Sequence, residues 1–514
     1  MSRFRVTAVV AAVFVAATVV GGASSHGLAN GTPPPEIGEN AAAGWPEHNY
    51  DLSNSRADLQ TDINASNVSK LKQKWAFKLS YSGAFGAFTS NPIVQNNVVY
   101  FEDPDSNVYA LDETTGAVKW THKYKSVTPS GGPNGVALGY GLLYGATENK
   151  LFALDPTTGK QMWISRQLTT SKNEGIDMAP QLYGNKVLIS TIPGSSTNFY
   201  AGNAYGKVYA LDAKTGKVDW MFSTVKGGQK LWGNPKQNSG GGLWYPPSVD
   251  SQGRVFIGVA NPAPFPLTAK SPNGSTRPGP NLYTDSLVAL NGDTGKVLWY
   301  QQVTSHDLRD YDFQVSPVIT TINGTEAVIG AGKSGKVIAF RADNGKRLWT
   351  LNVGKHNSNQ YGPLPKTPVT VCPGYLGGVE TPMALNAGLL YVPWVDLCAK
   401  QGSTGFGAGA NFASGKGGLA AVNASTGAIT WMHAFPTLAV GAATIANDVV
   451  FTETYTGAIY AYNAKTGAVL WTTKAPNGIN SFPAITKNMF IIGAGAPSGK
   501  KPKNEIVAYS LNGQ

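Results

Sequence analysis

Ser305 to Asp312, SHDLRDYD, packs one imidazole, one guanidinium, three carboxylates and a phenol into eight consecutive positions of a chain that is only 14% charged. Carboxylates crowded beside cations can act as general bases or offer oxygens to a metal ion. A solvated surface turn can carry the same residues and do no chemistry. Three further positions have side chains of chemical use. Trp244 follows three glycines in GGGLW; it can offer the largest flat aromatic face to a planar ligand, or simply pack. Asn261, in VFIGVANPAPF, brings a neutral side-chain oxygen, although Asn-Pro is also an ordinary turn opener. Lys333, in GAGKSGKVIAF, brings an ammonium of the kind that is usually left on the surface.

The elements that must position these residues follow from a repeat. VYALDETTGAVKW (108–120), LFALDPTTGKQMW (151–163), VYALDAKTGKVDW (208–220), LVALNGDTGKVLW (287–299), VIAFRADNGKRLW (337–349), LAAVNASTGAITW (419–431) and IYAYNAKTGAVLW (459–471) are copies of one unit. Each predicts strand, tight turn, strand: Asp or Asn opens the turn with a side-chain acceptor and Gly tolerates the positive φ it needs. The closing Trp suits packing between neighbouring sheets. Trp75 lacks its preceding strand, whereas IVAYSLNG (506–513) supplies such a strand without its Trp. Joined, they make an eighth unit, as when a radial β-propeller closes and leaves no free edge. The expected fold is therefore all-β, an eight-bladed propeller of four-stranded antiparallel blades closed by pairing of the C-terminal strand with the N-terminal blade. The 61 Gly and 32 Pro residues disfavour long helices. The intervals ending at Trp299 and Trp431, 79 and 82 residues, exceed what one blade needs and predict long excursions on the faces of the propeller.

The repeat, with the segment WPEHNYDLSNSRADLQTDINASNVSKLKQKW (45–75) before it, resembles the pyrroloquinoline quinone (PQQ) dependent alcohol dehydrogenases over nearly all of the chain after residue 44. The repeat is also shared by non-catalytic propellers, including a scaffold lipoprotein of outer-membrane assembly, so a binding or scaffold module is the alternative. The resemblance implies that Asp310 is the catalytic base, that Trp244 lies flat beneath the quinone, and that Lys333 hydrogen-bonds the reactive quinone oxygens. It implies metal oxygens from Asn261, Asp310 and Asp312; Asp312 stands where lanthanide-using members carry an additional carboxylate, so the ion would be Ca²⁺ or a lanthanide. His306, Asp307 and Arg309 are expected to shape the loop through hydrogen bonds. The chain departs from the family at several places. Arg309 replaces an aromatic residue, IPGSSTNFYAGNAYG (192–206) lacks the glutamate metal ligand, and GPNGVALGYGLLYG (132–145) lacks the paired cysteines above the quinone. Tryptophans expected around Val440 and in GAGAPSG (493–499) are replaced. The implied activity is oxidation of an alcohol or polyol, which needs a base for the hydroxyl proton and an electrophile for the hydride.

Arg3 and Arg5 precede an apolar run from Val6 to Val20 and then Gly21, Gly22, Ala23 and Ser24, which predicts a secretory signal over 1–25, cleaved somewhere after Ala23. Residues 26–44, with Pro33, Pro34 and Pro35, predict a flexible leader, and 45–514 the propeller. Export to a periplasmic or secreted location makes a Cys372–Cys398 disulfide the expected state of the two cysteines. No further apolar run is long enough to span a bilayer. The formal charge of +11 is scattered among turns without a basic helix, which argues against nucleic acid. GFGAGA (405–410) has no βαβ unit around it, the six histidines have no zinc spacing, and there is no serine nucleophile elbow. Without a C-x-x-C-H haem motif, electrons are expected to pass to a separate soluble acceptor such as a cytochrome.

Overall fold

The computed structural model describes residues 31–37, 44–80, 85–194, 199–265, 267–407, 410–497 and 503–513. The expected signal over 1–25 and most of the expected leader over 26–44 lie outside the described residues. Among the described residues, helix is confined to short 3-10 turns, the longest Gly228–Gly233, and no helix is long and apolar enough to cross a membrane. The fold is an all-β propeller. Its described strands form seven four-stranded sheets, one five-stranded sheet and two three-stranded sheets.

Each repeated unit forms the two last strands of a sheet. In the first, strand Val108–Asp112 pairs with Val118–His122 across the turn DETTG. Asp112 Oδ1 accepts from the backbone N–H groups of Thr114 and Thr115, and Gly116 takes φ 71°. The closing Trp does more than fill space. Its indole N–H donates to a backbone carbonyl in the turn of the following unit: Trp75 to Glu113, Trp120 to Pro156, Trp163 to Ala213, Trp220 to Gly292, Trp299 to Ala342, Trp349 to Ala424 and Trp431 to Ala464. The turn glycine lies on that indole. A Cβ on Gly345 would come 2.6 Å from Trp299 Cε3, so glycine is required by contact as well as by φ. Seven sheets are thus pinned to their successors, and the Trp471 ring packs edge-on against Tyr509 of the C-terminal strand.

The C-terminal strand Glu505–Leu511 pairs antiparallel with Leu71–Lys78, in the register Trp75 to Ala508, and lies between it and Met489–Ala494. Arg56, fully buried, ties the N-terminal segment to strands distant in sequence: its guanidinium donates to the His48, Ala443 and Pro483 carbonyls and to Thr444 Oγ1. The two long intervals become excursions. One carries Ser239–Gly240 and Pro262–Ala263, which form a small sheet with the earlier strand Ala204–Tyr205; the other carries Val369–Val371, Ala399–Gly402 and Gly405–Phe406. Cys372 and Cys398 are joined by a disulfide in the second, with Cα atoms 4.6 Å apart.

Candidate functional site

Asp310 and Asp312 lie between strands Val297–Gln302 and Val318–Ile322, and Lys333 lies in the turn after Thr325–Ala331. The Lys333 amide donates to the Asp312 carbonyl at 3.0 Å, and a Cβ on Gly332 would sit 1.9 Å from that same oxygen. Only glycine allows the two segments to approach so closely. This contact brings the Lys333 ammonium 2.9 Å from Asp310 Oδ2 and 2.6 Å from Asp312 Oδ2. The bond to Asp310 is aligned as a hydrogen bond; the contact with Asp312 is ionic without that alignment. All three side chains are buried. Asp310 holds φ 67°, an uncommon conformation for a residue other than glycine, and one that strained functional loops favour.

Asn261 follows strand Arg254–Gly258 and packs beneath the Trp244 loop, where Gly241 N donates to the Asn261 carbonyl at 3.0 Å. Its own backbone N–H donates to Asp312 Oδ1 at 2.5 Å, and its side-chain Oδ1 accepts from the Tyr200 hydroxyl at 2.8 Å. Three of the sequence-predicted residues, Trp244, Asp310 and Lys333, line a cavity of about 500 Å³. Asn261 and Asp312 sit behind Asp310 and Lys333, fully buried and outside the cavity lining. The other walls are largely aromatic: Phe85, Phe199, Tyr375, Phe406 and Phe482 among them. Gly132 lines the cavity from the start of the stretch that lacks the paired cysteines, as does Gly131 just before it, whose amide is held by Asp177 Oδ1 at 3.1 Å.

The remaining charged residues of SHDLRDYD hold the loop, as expected. Asp307 accepts from the Arg309 and Tyr311 amides, His306 bonds the Gly279 and Asn273 carbonyls, and Arg309 donates to the Ser358 and Gly362 carbonyls. Two neighbours were not legible as site residues. Tyr200 stands in the stretch that lacks a glutamate, the one hint at its position. Glu380 lines the cavity from within the loop that the disulfide closes and accepts from Gln314 at 3.0 Å. Burial pushes the Glu380 carboxyl up to about 7 against the pull of Lys333. Burial also pushes Asp310 well above the usual carboxylate range; Lys333 opposes this, while Asp312 and Asp307 add to it.

The cavity can be tested against a planar quinone from its own polar atoms. The Trp244 indole N–H, Asp310 Oδ1 and Glu380 Oε1 are buried without a protein partner, and all three residues line it. A donor and two acceptors left open among aromatic walls fit a flat ligand with polar edges. The same test fails for a metal ion. Asn261 Oδ1 is engaged by Tyr200, and Asp312 by Asn261 and Lys333. Among the described residues, no three His, Cys, Asp or Glu side chains converge as a metal site.

The profile of the glucose/ethanol/alcohol dehydrogenase β-propeller domain, a PQQ family, matches residues 45–140 and 166–361. The chain belongs to this family. Trp244, Asn261, Asp310, Asp312 and Lys333 all fall within its second matched segment, whereas residues 396–513 match the profile of the outer membrane protein assembly factor BamB. The dehydrogenase subunit of the quinone alcohol dehydrogenase from Gluconobacter oxydans is 30% identical over 335 residues, 57% of this chain and 42% of that protein. Polyvinylalcohol dehydrogenase from a Pseudomonas species is 26% identical over 434 residues, 76% of this chain and 59% of that one. The chain thus spans about half the length of these curated relatives. The crystal structure of quinohemoprotein alcohol dehydrogenase from Comamonas testosteroni shares the fold, with a TM-score of 0.77 and 22% identity, over 92% of this chain and 81% of that one.

Proposed function

We propose that the protein is an exported quinoprotein dehydrogenase that oxidises an alcohol or polyol with PQQ and passes electrons to a separate soluble acceptor such as a cytochrome. The observation that carries this reading is the Asp310–Lys333 pair at the wall of an aromatic cavity that also contains Trp244, with Asp310 Oδ1 left free. Bound there, PQQ would supply an electrophilic carbonyl able to accept the electron pair released from the alcohol carbon. Trp244 would hold it by its ring face, and Lys333 by its ammonium. Asp310 takes the hydroxyl proton at Oδ1 while Lys333 fixes Oδ2, so the base is oriented by the contact that also keeps a cation beside it. The aromatic walls exclude water from this pair and favour an apolar substrate body.

The same proposal includes a ring of eight blades closed on itself. It is supported by the eight sheets of four or more strands, by the seven indole bonds running from one unit to the next, and by the pairing of Glu505–Leu511 with Leu71–Lys78. Closure removes two open sheet edges. The scaffold reading draws on the BamB-like match of residues 396–513, but those residues contain none of the five candidate site positions. Reconstitution of the purified chain with PQQ, followed by dye reduction with short alcohols and polyols, separates the two. Alcohol-dependent reduction supports the enzyme; quinone that never binds refutes it.

A further inference from the structure

The three positions aligned with metal ligands are occupied by one another and by two groups of this chain. Ca²⁺ takes six to eight oxygens, most of them anionic or carbonyl. Asn261 has one oxygen to give, and that oxygen already accepts a hydrogen bond from Tyr200 at 2.8 Å. Its amide nitrogen is turned to the Pro262 carbonyl at 3.1 Å. Asp312 spends Oδ1 on the Asn261 backbone and lies against the Lys333 ammonium through Oδ2. Asp310 gives Oδ2 to the same ammonium, which leaves only its Oδ1 open.

Tyr200 reaches this position from the stretch between Thr191 and Gly206, which contains no acid. It holds φ 57°, a conformation bulky residues seldom adopt, and its phenol is buried against Asn261. An incoming cation would therefore meet a phenol proton and an ammonium where its ligands should be.

We infer that the Tyr200 hydroxyl and the Lys333 ammonium take the place of the metal ion, so that this site works without Ca²⁺ or a lanthanide. Lys333 supplies the positive charge beside Asp310, and Tyr200 satisfies the oxygen of Asn261 that an ion would have claimed. The inference rests on reading this cavity as a quinone dehydrogenase site, but its test reads ion binding alone and stands whatever the turnover result.

The test titrates the full purified chain with Tb³⁺, followed by luminescence sensitised by Trp244, and with Ca²⁺ by calorimetry, each with and without PQQ. The wild type is expected to give no saturable signal that depends on Asn261. Tyr200→Glu, which frees Asn261 and adds the missing carboxylate, is expected to gain binding of one Tb³⁺ per chain, lost again in the double variant with Asn261→Ala. Circular dichroism checks that each variant folds, and Tyr200→Phe serves if Tyr200→Glu does not. Saturable binding by the wild type that Asn261→Ala abolishes would overturn the inference. So would a folded Tyr200→Glu protein that binds no ion, because Tyr200 would then not be what closes the site.

Discussion

The two carboxylate oxygens of Asp310 differ: Oδ2 is held 2.9 Å from Lys333 and Oδ1 has no protein partner. If Oδ1 is the base, Asp310→Asn keeps the shape and an oxygen but cannot take a proton. Turnover should fall by about 10²- to 10⁴-fold while quinone binding persists, measured by dye reduction beside a binding titration. Because burial raises the Asp310 carboxyl, it is protonated at low pH, so the rate should climb with pH through a value well above the ordinary carboxylate range. Lys333, Asp312 and Asp307 all act on that group. Removing the ammonium in Lys333→Met should push the rising limb of the pH–rate profile to higher pH; an unmoved limb would mean that Lys333 does not set the base. Asp310 and Lys333 were legible through the resemblance of their stretches, SHDLRDYD and GAGKSGKVIAF, to the PQQ family. Tyr200 and Glu380 were not, since both come from excursions outside the repeat, where no periodicity places a side chain.

The strand–turn–strand unit was fully legible, from apolar alternation, the Asp/Asn turn opener and the turn glycine. Its coupling was not: nothing in one unit says that its Trp donates to the turn of the next, a contact that exists only once two sheets pack. Gly345→Ala tests that coupling, since the substitution opposes φ 72° and drives a methyl into Trp299. Strain of roughly 1–2 kcal/mol is expected from φ alone, with the clash added, read as a lowered denaturation midpoint. The small sheets escaped sequence reading because strands of two to four residues, such as Pro262–Ala263, carry no alternation. The disulfide was legible from the compartment and from there being two cysteines. It braces the excursion that supplies Tyr375, Phe406 and Glu380 to the cavity. By the chain-entropy model its loss in Cys372→Ser with Cys398→Ser should cost about 3–4 kcal/mol. KM should rise more than kcat falls; equal stability in the double variant would contradict the bracing role.

The interior of the whole molecule holds carboxyls that burial has raised: Glu47 to about 8, Asp177 to about 7 and Glu380 to about 7. Each binds its proton more tightly folded than unfolded, so its contribution to stability is complete below the unfolded carboxyl value and is lost as pH rises through the folded one. Stability should therefore decline between about pH 5 and 8. Glu47→Gln should flatten that decline by about 1.4 kcal/mol per pH unit, seen in denaturant midpoints across the range. Sequence could not foresee this, because the positions become interior only when strands far apart in the chain assemble around segments such as that of Arg56. The same assembly builds the cavity on which the functional account depends. The most direct test is an equilibrium titration of PQQ into the wild-type protein, Trp244→Ala and Lys333→Ala, followed by quenching of tryptophan fluorescence and by calorimetry in parallel. The account predicts saturable binding of one quinone per wild-type chain, weakened in both variants; a wild-type protein that binds no quinone, or binds it unchanged when both residues are replaced, would contradict it.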